Sequence, residues 1–243
     1  MRAPTAFLIL ASLAIARAGF VQASVEASRA EMNLGVQAYK NSKYAEAVER
    51  FKTALVLDPS NQNAQLYLAT SYMIQWVPGA DSPDNKKNLY SAKQEFETVL
   101  AKDPTNALAL ASMASLAYNS AIFGTSDEKA AALGEAKKWN ERRIEADPKN
   151  AEGHYYLGVI AWAQAFTPIQ KERVRSGMKP DNPGPLTDQV ARRALQVKYQ
   201  QTIADGIQAL RECLDLDKEN ENAMSYMNLL LRKKADLRTL VVL

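Results

Sequence analysis

Apolar residues recur three or four positions apart along most of the chain: Ala47, Phe51 and Ala54, then Leu68 and Tyr72, then Ala92, Phe96 and Val99, and later Leu210 and Cys213. This period puts them on one face of an α-helix, with polar residues on the other. The periodic stretches close on a recurring phrase. SKYAEAVERFKTALVLDPSN (42–61) returns as SAKQEFETVLAKDPTN, GEAKKWNERRIEADPKN and GIQALRECLDLDKEN. The pairs Asp58-Pro59, Asp103-Pro104 and Asp147-Pro148 lie about 45 residues apart, and Asp217-Lys218 follows about 70 further on.

The phrase is a stop and a restart. Proline cannot continue a helix, so Pro59 ends one, and Asn61 can cap the next by accepting from free backbone amides. Asn106, Asn150 and Asn220 stand in the same place. Where Lys218 replaces proline, a softer stop is expected.

Aligned on these ends, the first unit runs from Ser28 to Asn61 with Leu34-Gly35, Ala38-Tyr39, Tyr44, Ala47, Phe51, Ala54 and Pro59 at fixed places. It resembles a tetratricopeptide repeat, a pair of antiparallel helices A and B. The resemblance implies that Gly35, Ala47 and Ala54 let the backbones approach, while Leu34, Tyr44 and Phe51 fill the flanking space. Ala38 stands where the family usually has an aromatic, and Tyr39 beside it compensates. The expected fold is all-α, an α-solenoid of stacked antiparallel helix pairs with about four repeats (28–61, 62–106, 107–150 and 151–220) and a C-terminal helix, 221–236.

Three of the four units carry extra residues at the A-to-B turn. WVPGADSPDNKKNLY reads as a loop, as does the region around Gly124-Thr125-Ser126-Asp127, while ERVRSGMKPDNPGPLTD is rich in helix breakers. Helix B of the fourth unit is predicted to start early, near Thr187. In the third unit Asn140 and Arg143 stand where Phe and Ala are expected, with Trp139 and Ile144 near enough to pack. Stacking in register would bring the insertions out along one edge.

Composition is that of a globular protein, with 47% hydrophobic and 23% charged residues in a chain of 243. Residues 1–23 read as a signal peptide: Arg2, an apolar run from Ala6 to Ala16, then small residues that suit cleavage after Ala18 or Ala23. The run is too short to span a bilayer. The expected mature domain is 24–243, exported to a bacterial periplasm or cell envelope, or secreted. Without Arg2 and Arg17 the net charge falls from +3 to +1, which gives no reason to expect nucleic-acid binding. Leu240 to Leu243 end the sequence with apolar groups where repeat arrays carry a polar cap, so they are expected to fold back, to recruit another chain, or to mark a shortened form.

Chemistry has little to work with. His154 is the one histidine and Cys213 the one cysteine. The first is read as a packing residue at a junction between units, the second as a buried residue at a helix crossing. No zinc, serine-hydrolase or phosphate-loop pattern occurs. No enzymatic activity, cofactor or metal is therefore expected.

What the resemblance implies is protein interaction through a groove lined by the A helices. The groove places are Met32, Val36, Tyr39 and Lys40, then Leu66, Thr70 and Met73, then Ala111, Ser115 and Tyr118, then Tyr155, Val159 and Trp162. Members that grip a C-terminal carboxylate carry Lys, Asn and Arg where this chain has Met32, Val36, Leu108 and Ser112, so an apolar peptide or partner helix is the expected ligand. The alternative is an envelope-assembly or transport accessory that docks an anionic membrane or polymer through the basic insertion 171–198, with Lys171, Arg173, Arg175, Arg192 and Arg193.

Overall fold

The computed structural model describes residues 5–124, 126–179, 182 and 184–238, with side chains from residue 22 onward except 126 and 127. Nine helices are present among them: α1 (Thr5–Lys40), α2 (Tyr44–Leu57), α3 (Gln62–Gln75), α4 (Pro83–Lys102), α5 (Ala107–Phe123), α6 (Ser126–Ala146), α7 (Ala151–Arg175), α8 (Gln189–Leu216) and α9 (Glu221–Asp236). The described residues form no strand. The chain divides into two compact units, Met1–Ala109 and Leu110–Leu243.

The helix joints come from the repeated phrase. Asn61, Asn106, Asn150 and Asn220 each accept through Oδ1 from the amide three residues on, at 3.0, 3.0, 2.7 and 2.9 Å. Each of the four also donates its own amide back to the aspartate three residues earlier, at 3.0–3.3 Å. The joint at Lys218 is no softer than the others. Asp217 closes α8 at φ −137°, ψ 89°, beside Asp58 at −140°, 94° and Asp103 at −132°, 86°. The Asp and Asn contacts set the turn, with or without proline.

In the first unit α1 packs on α2, α2 on α3, and α3 on α4. Gly35 lies so close to Phe51 that an added Cβ would stand 2.6 Å from the ring. Phe51, Ala47 and Ala54 are fully buried, as are Phe96 and Ala92 in α4. The buried Ser28 hydroxyl donates to Ala54 O at 2.8 Å and accepts from Asn61 Nδ2 at 3.0 Å, tying α1 and α2 to the cap of α3. Leu34 departs from expectation. It is 44% exposed, at the edge of the buried face that carries Gly35 and Ala38.

In the second unit α7 packs on α8 and on α9, and α8 on α9. One core gathers Ala161, Ile169, Ile203, Leu210, Cys213 and Leu230. A second lies around Ala117, Leu133, Ala136 and Ile160. Gly158 and Gly206 are the crossing points: a Cβ on Gly158 would stand 2.3 Å from Leu210 Cγ, and one on Gly206 2.4 Å from Ala161 Cβ.

The extra residues at the A-to-B turns are mostly helix, which corrects the reading of them as loops. The first is a loop only over 76–82, where the Asn85 side chain holds Val77 and Ala80 by three hydrogen bonds of 2.7–2.8 Å. Ser82 then caps α4, with Pro83 at its first turn. At the second, α5 and α6 lengthen until little more than Gly124 remains between them; Thr125 lies outside the described residues. At the third, α7 continues through Pro168 to Arg175, and α8 begins at Gln189, two residues after the expected start. Residues 1–4 of the expected leader lie outside the described residues, as do 239–243 at the other end; 5–23 form the start of α1.

Candidate functional site

The places expected to line a groove fall on the A helices of each unit. In the first unit these are α1 and α3. Met32, Val36, Tyr39, Leu66, Thr70 and Met73 are half-buried and Lys40 is exposed. Tyr39 joins the two helices through an edge contact with Tyr67, ring centroids 6.0 Å apart, and Tyr67 stacks on Phe51 at 5.4 Å. Thr70 turns its hydroxyl back to Leu66 O at 2.8 Å, so it offers a methyl outward.

The second unit holds the richer face. Tyr118 on α5 meets Tyr156 edge to face at 5.7 Å, Tyr156 meets Tyr155 at 5.2 Å, and Tyr155 meets Tyr226 of α9 at 5.9 Å. Tyr226 then meets Trp162 at 5.5 Å, and Trp162 lies 4.8 Å from Phe166. Six aromatic rings thus form one unbroken chain of contacts across α5, α7 and α9. Burial, with smaller contributions from neighbouring phenols and, at Tyr155, Cys213, pushes Tyr118 and Tyr155 up to about 12. Ala111, Ser115, Tyr118, Tyr155 and Trp162 are half-buried, as lining residues should be. Val159 is not one. At 2% exposure it belongs to the core.

Two clefts open along this face. A small one of about 150 Å³ lies between α5 and α7, with Tyr118, Tyr156, Asn140, Arg143 and Glu152 in its wall. A larger one of about 500 Å³ lies between α7 and α9, floored by Trp162 and Phe166 and edged by Gln170, Leu229, Arg232 and Lys233. Sequence reasoning missed Tyr156, Phe166, Tyr226, Leu229, Arg232 and Lys233. The register that gave Tyr155, Val159 and Trp162 on α7 gives Ser225, Leu229 and Arg232 when carried onto α9, so two of the six were within reach.

The basic insertion is largely spoken for. Arg173, 4% exposed, pairs with Asp236 and donates to Lys179 O at 2.8 Å and Asn182 O at 2.7 Å. Arg192, 9% exposed, donates to Leu186 O at 2.7 Å. Arg175 is exposed yet held by Glu172 at 2.8 Å and Asp188 at 2.6 Å. Lys171 and Arg193 remain exposed. Cations clustered in sequence need not form a surface patch when the loop between α7 and α8 uses them to fasten itself.

His154 and Cys213 sit in packing. His154 is buried on α7, its Nε2 3.3 Å from Pro148 O and its Nδ1 3.0 Å from Glu212 Oε2, out of line for a hydrogen bond. Burial and the nearby Asp217 raise the Cys213 thiol, which keeps it protonated and a poor nucleophile. No group of three or more His, Cys, Asp or Glu side chains placed to hold a metal occurs among the described residues. Among the described residues no helix is long and apolar enough to cross a membrane.

Antiparallel pairs with glycine or alanine at the crossings and an Asp-x-x-Asn joint between pairs decide the fold. It is a tetratricopeptide-type all-α array of helix pairs. A solved protein of Bacteroides ovatus ATCC 8483 shares it at TM-score 0.50 and 16% identity, over 87% of this chain and 99% of that one. Weaker likenesses are to TTC0263, a thermophilic TPR protein of Thermus thermophilus (TM-score 0.45, 16% identity, 84% of this chain and 99% of that one), and to MamA protein (0.46, 17%, 89% and 98%). No protein-family model and no curated protein matches the chain.

Proposed function

We propose that the chain is a non-enzymatic protein-interaction module whose tetratricopeptide-type helix pairs hold an apolar peptide or partner helix on their A-helix faces. The observation that carries this reading is the run of half-buried rings from Tyr118 to Phe166 on α5, α7 and α9. Aromatic rings offer large contact area at low entropic cost and anchor many protein interfaces. A surface of this kind favours an extended peptide or amphipathic helix over a small polar substrate. The module is read as an exported one, working in a periplasm or envelope after removal of residues 1–23.

Capture from envelope extract tests this reading. Wild-type chain should retain a discrete partner, and a folded Tyr155→Ala, Trp162→Ala variant should lose it. Equal capture by the two would sink the proposal. The N-terminal residue of chain recovered from an expressing bacterium tests export, which predicts a start at Gly19 or Ser24. The alternative, docking on an anionic membrane or polymer through 171–198, has lost its main support: Arg173 and Arg192 are buried and Arg175 is paired.

A further inference from the structure

The cleft between α7 and α9 carries more positive charge than its own residues neutralise. Asp236, 2% exposed, is the one carboxylate among the described residues of its wall, and it serves two buried cations: Arg173 through Oδ1 and Lys233 through Oδ2 at 3.0 Å. Lys233 also lies over the Phe166 ring, 5.6 Å from its centroid. Arg232 stands exposed at the edge, with no carboxylate at ion-pairing distance among the described residues. Among the described residues the wall thus holds three cations against one anion. Buried charge left without a counter-charge is costly, so a net surplus at a cleft of about 500 Å³ favours an anion there. The floor asks for something else as well. Trp162 and Phe166 give it an apolar surface, and the Trp162 indole N–H is buried without a hydrogen-bond acceptor.

We infer that this cleft is the specificity pocket of the interaction face, and that it takes an acidic peptide segment: an Asp or Glu side chain beside a large apolar one. The inference rests on the peptide-binding reading above and names the chemistry of its ligand. The apolar side chain would lie on Trp162 and Phe166, and the carboxylate would meet Arg232 and Lys233. Arg232 sets the choice. It is the cation free to form a charge-assisted pair, since Arg173 and Lys233 already share Asp236.

The test uses the full chain, immobilised and offered a random peptide library displayed without a free C-terminus, so that only side-chain carboxylates can be chosen. Retained peptides should be enriched in Asp or Glu next to aromatic or large aliphatic residues. A retained peptide and its Glu→Gln twin are then compared by fluorescence anisotropy. On wild-type chain the twin should bind about tenfold more weakly; on Arg232→Glu that difference should vanish or reverse. Arg232 is exposed, so this variant should keep the fold, which circular dichroism checks. Peptides retained with no acidic preference, or an acidic preference untouched by Arg232→Glu, would overturn the inference and leave the interaction reading standing. A chain that retains no peptide overturns both. One that retains none yet sediments with phosphatidylglycerol vesicles through Arg232 shows that the anion is a lipid head group and overturns both equally.

Discussion

Arg143 donates to Asn140 Oδ1 at 3.0 Å in the place where the repeat pattern expects alanine beside phenylalanine. Asn140 is 1% exposed and Arg143 6%. The amide of Asn140 donates to Ala136 O at 2.9 Å, and Arg143 reaches on to Glu152 of α7 at 2.7 Å. What reads in the sequence as a decayed helix B is a polar joint with its hydrogen bonds made. The guanidinium ties α6 to α7 through its bond to Glu152.

The joint should behave as a unit. Arg143→Met leaves the Asn140 carbonyl oxygen buried without its donor, and should cost about 1–3 kcal/mol. Asn140→Phe together with Arg143→Ala replaces both partners by apolar groups, and should lie closer to wild type than Arg143→Met alone. Urea midpoints for the three proteins decide it. A double variant as unstable as the single one would mean that the polar joint is not what holds α6 to α7.

Two glycines in helices should respond with opposite sign. At Gly158 an added methyl would meet the branch atom of Leu210 at 2.3 Å and both its methyls within 2.7 Å, so the fully buried Leu210 side chain would have to move within a packed core. Gly158→Ala should lower stability by about 1–3 kcal/mol. Gly134, inside α6, has nothing within 4 Å of the added carbon. Gly134→Ala should raise stability by about 0.5–1 kcal/mol through helix propensity alone. Thermal melts of the two variants give the comparison, and a loss at Gly134 would show a neighbour that the packing does not contain.

Lys218 offers a cleaner case of unused proline. Asp217 already has the extended backbone that precedes proline at Asp58 and Asp103. The other three joints carry proline at the matching place. Lys218→Pro should therefore stabilise by about 0.4–1 kcal/mol, by restricting the unfolded chain. A lower denaturation midpoint would mean that the Lys218 amide is needed.

The fold was legible where the sequence repeats a physical instruction. Asn61, Asn106, Asn150 and Asn220 mark helix starts, Gly35, Gly158 and Gly206 stand at close crossings, and Phe51 and Phe96 fill the space beside them. The insertions escape a local reading because glycine and proline signal loops in isolation, yet Pro83 opens α4 and Pro168 lies within α7, where the chain around them still packs. The interaction face was legible in part. Tyr118, Tyr155 and Trp162 follow from repeat register, but Val159 shares that register and is buried, because burial depends on how closely neighbouring helices approach, which register alone does not give. Arg173 and Arg192 could not have been placed at all: Asp236 ends α9 and Leu186 lies in the α7–α8 loop, and no local pattern encodes either meeting.

The tyrosine chain carries a signature at high pH. Tyr118 and Tyr155 are pushed from 10.0 to about 12, first by burial and then by their neighbours: Tyr226, Tyr155 and Tyr156 for the former, Tyr226, Tyr156 and Cys213 for the latter. A phenol whose folded pKa is raised holds its proton longer in the native state than in the unfolded one. Between 10 and 12 the native chain therefore binds more protons, and stability falls as pH rises through that window. Below it the two states are equally protonated at these sites and the full stability is present. Tyrosinate absorbance of the folded chain should show a late step near 12 that merges with the ordinary one near 10 in denaturant. Tyr118→Phe and Tyr155→Phe should each shrink the late step, and denaturation midpoints of wild-type chain should drop more steeply across the window than those of the double variant. A late step undiminished by either substitution would show that neither Tyr118 nor Tyr155 is the shifted phenol.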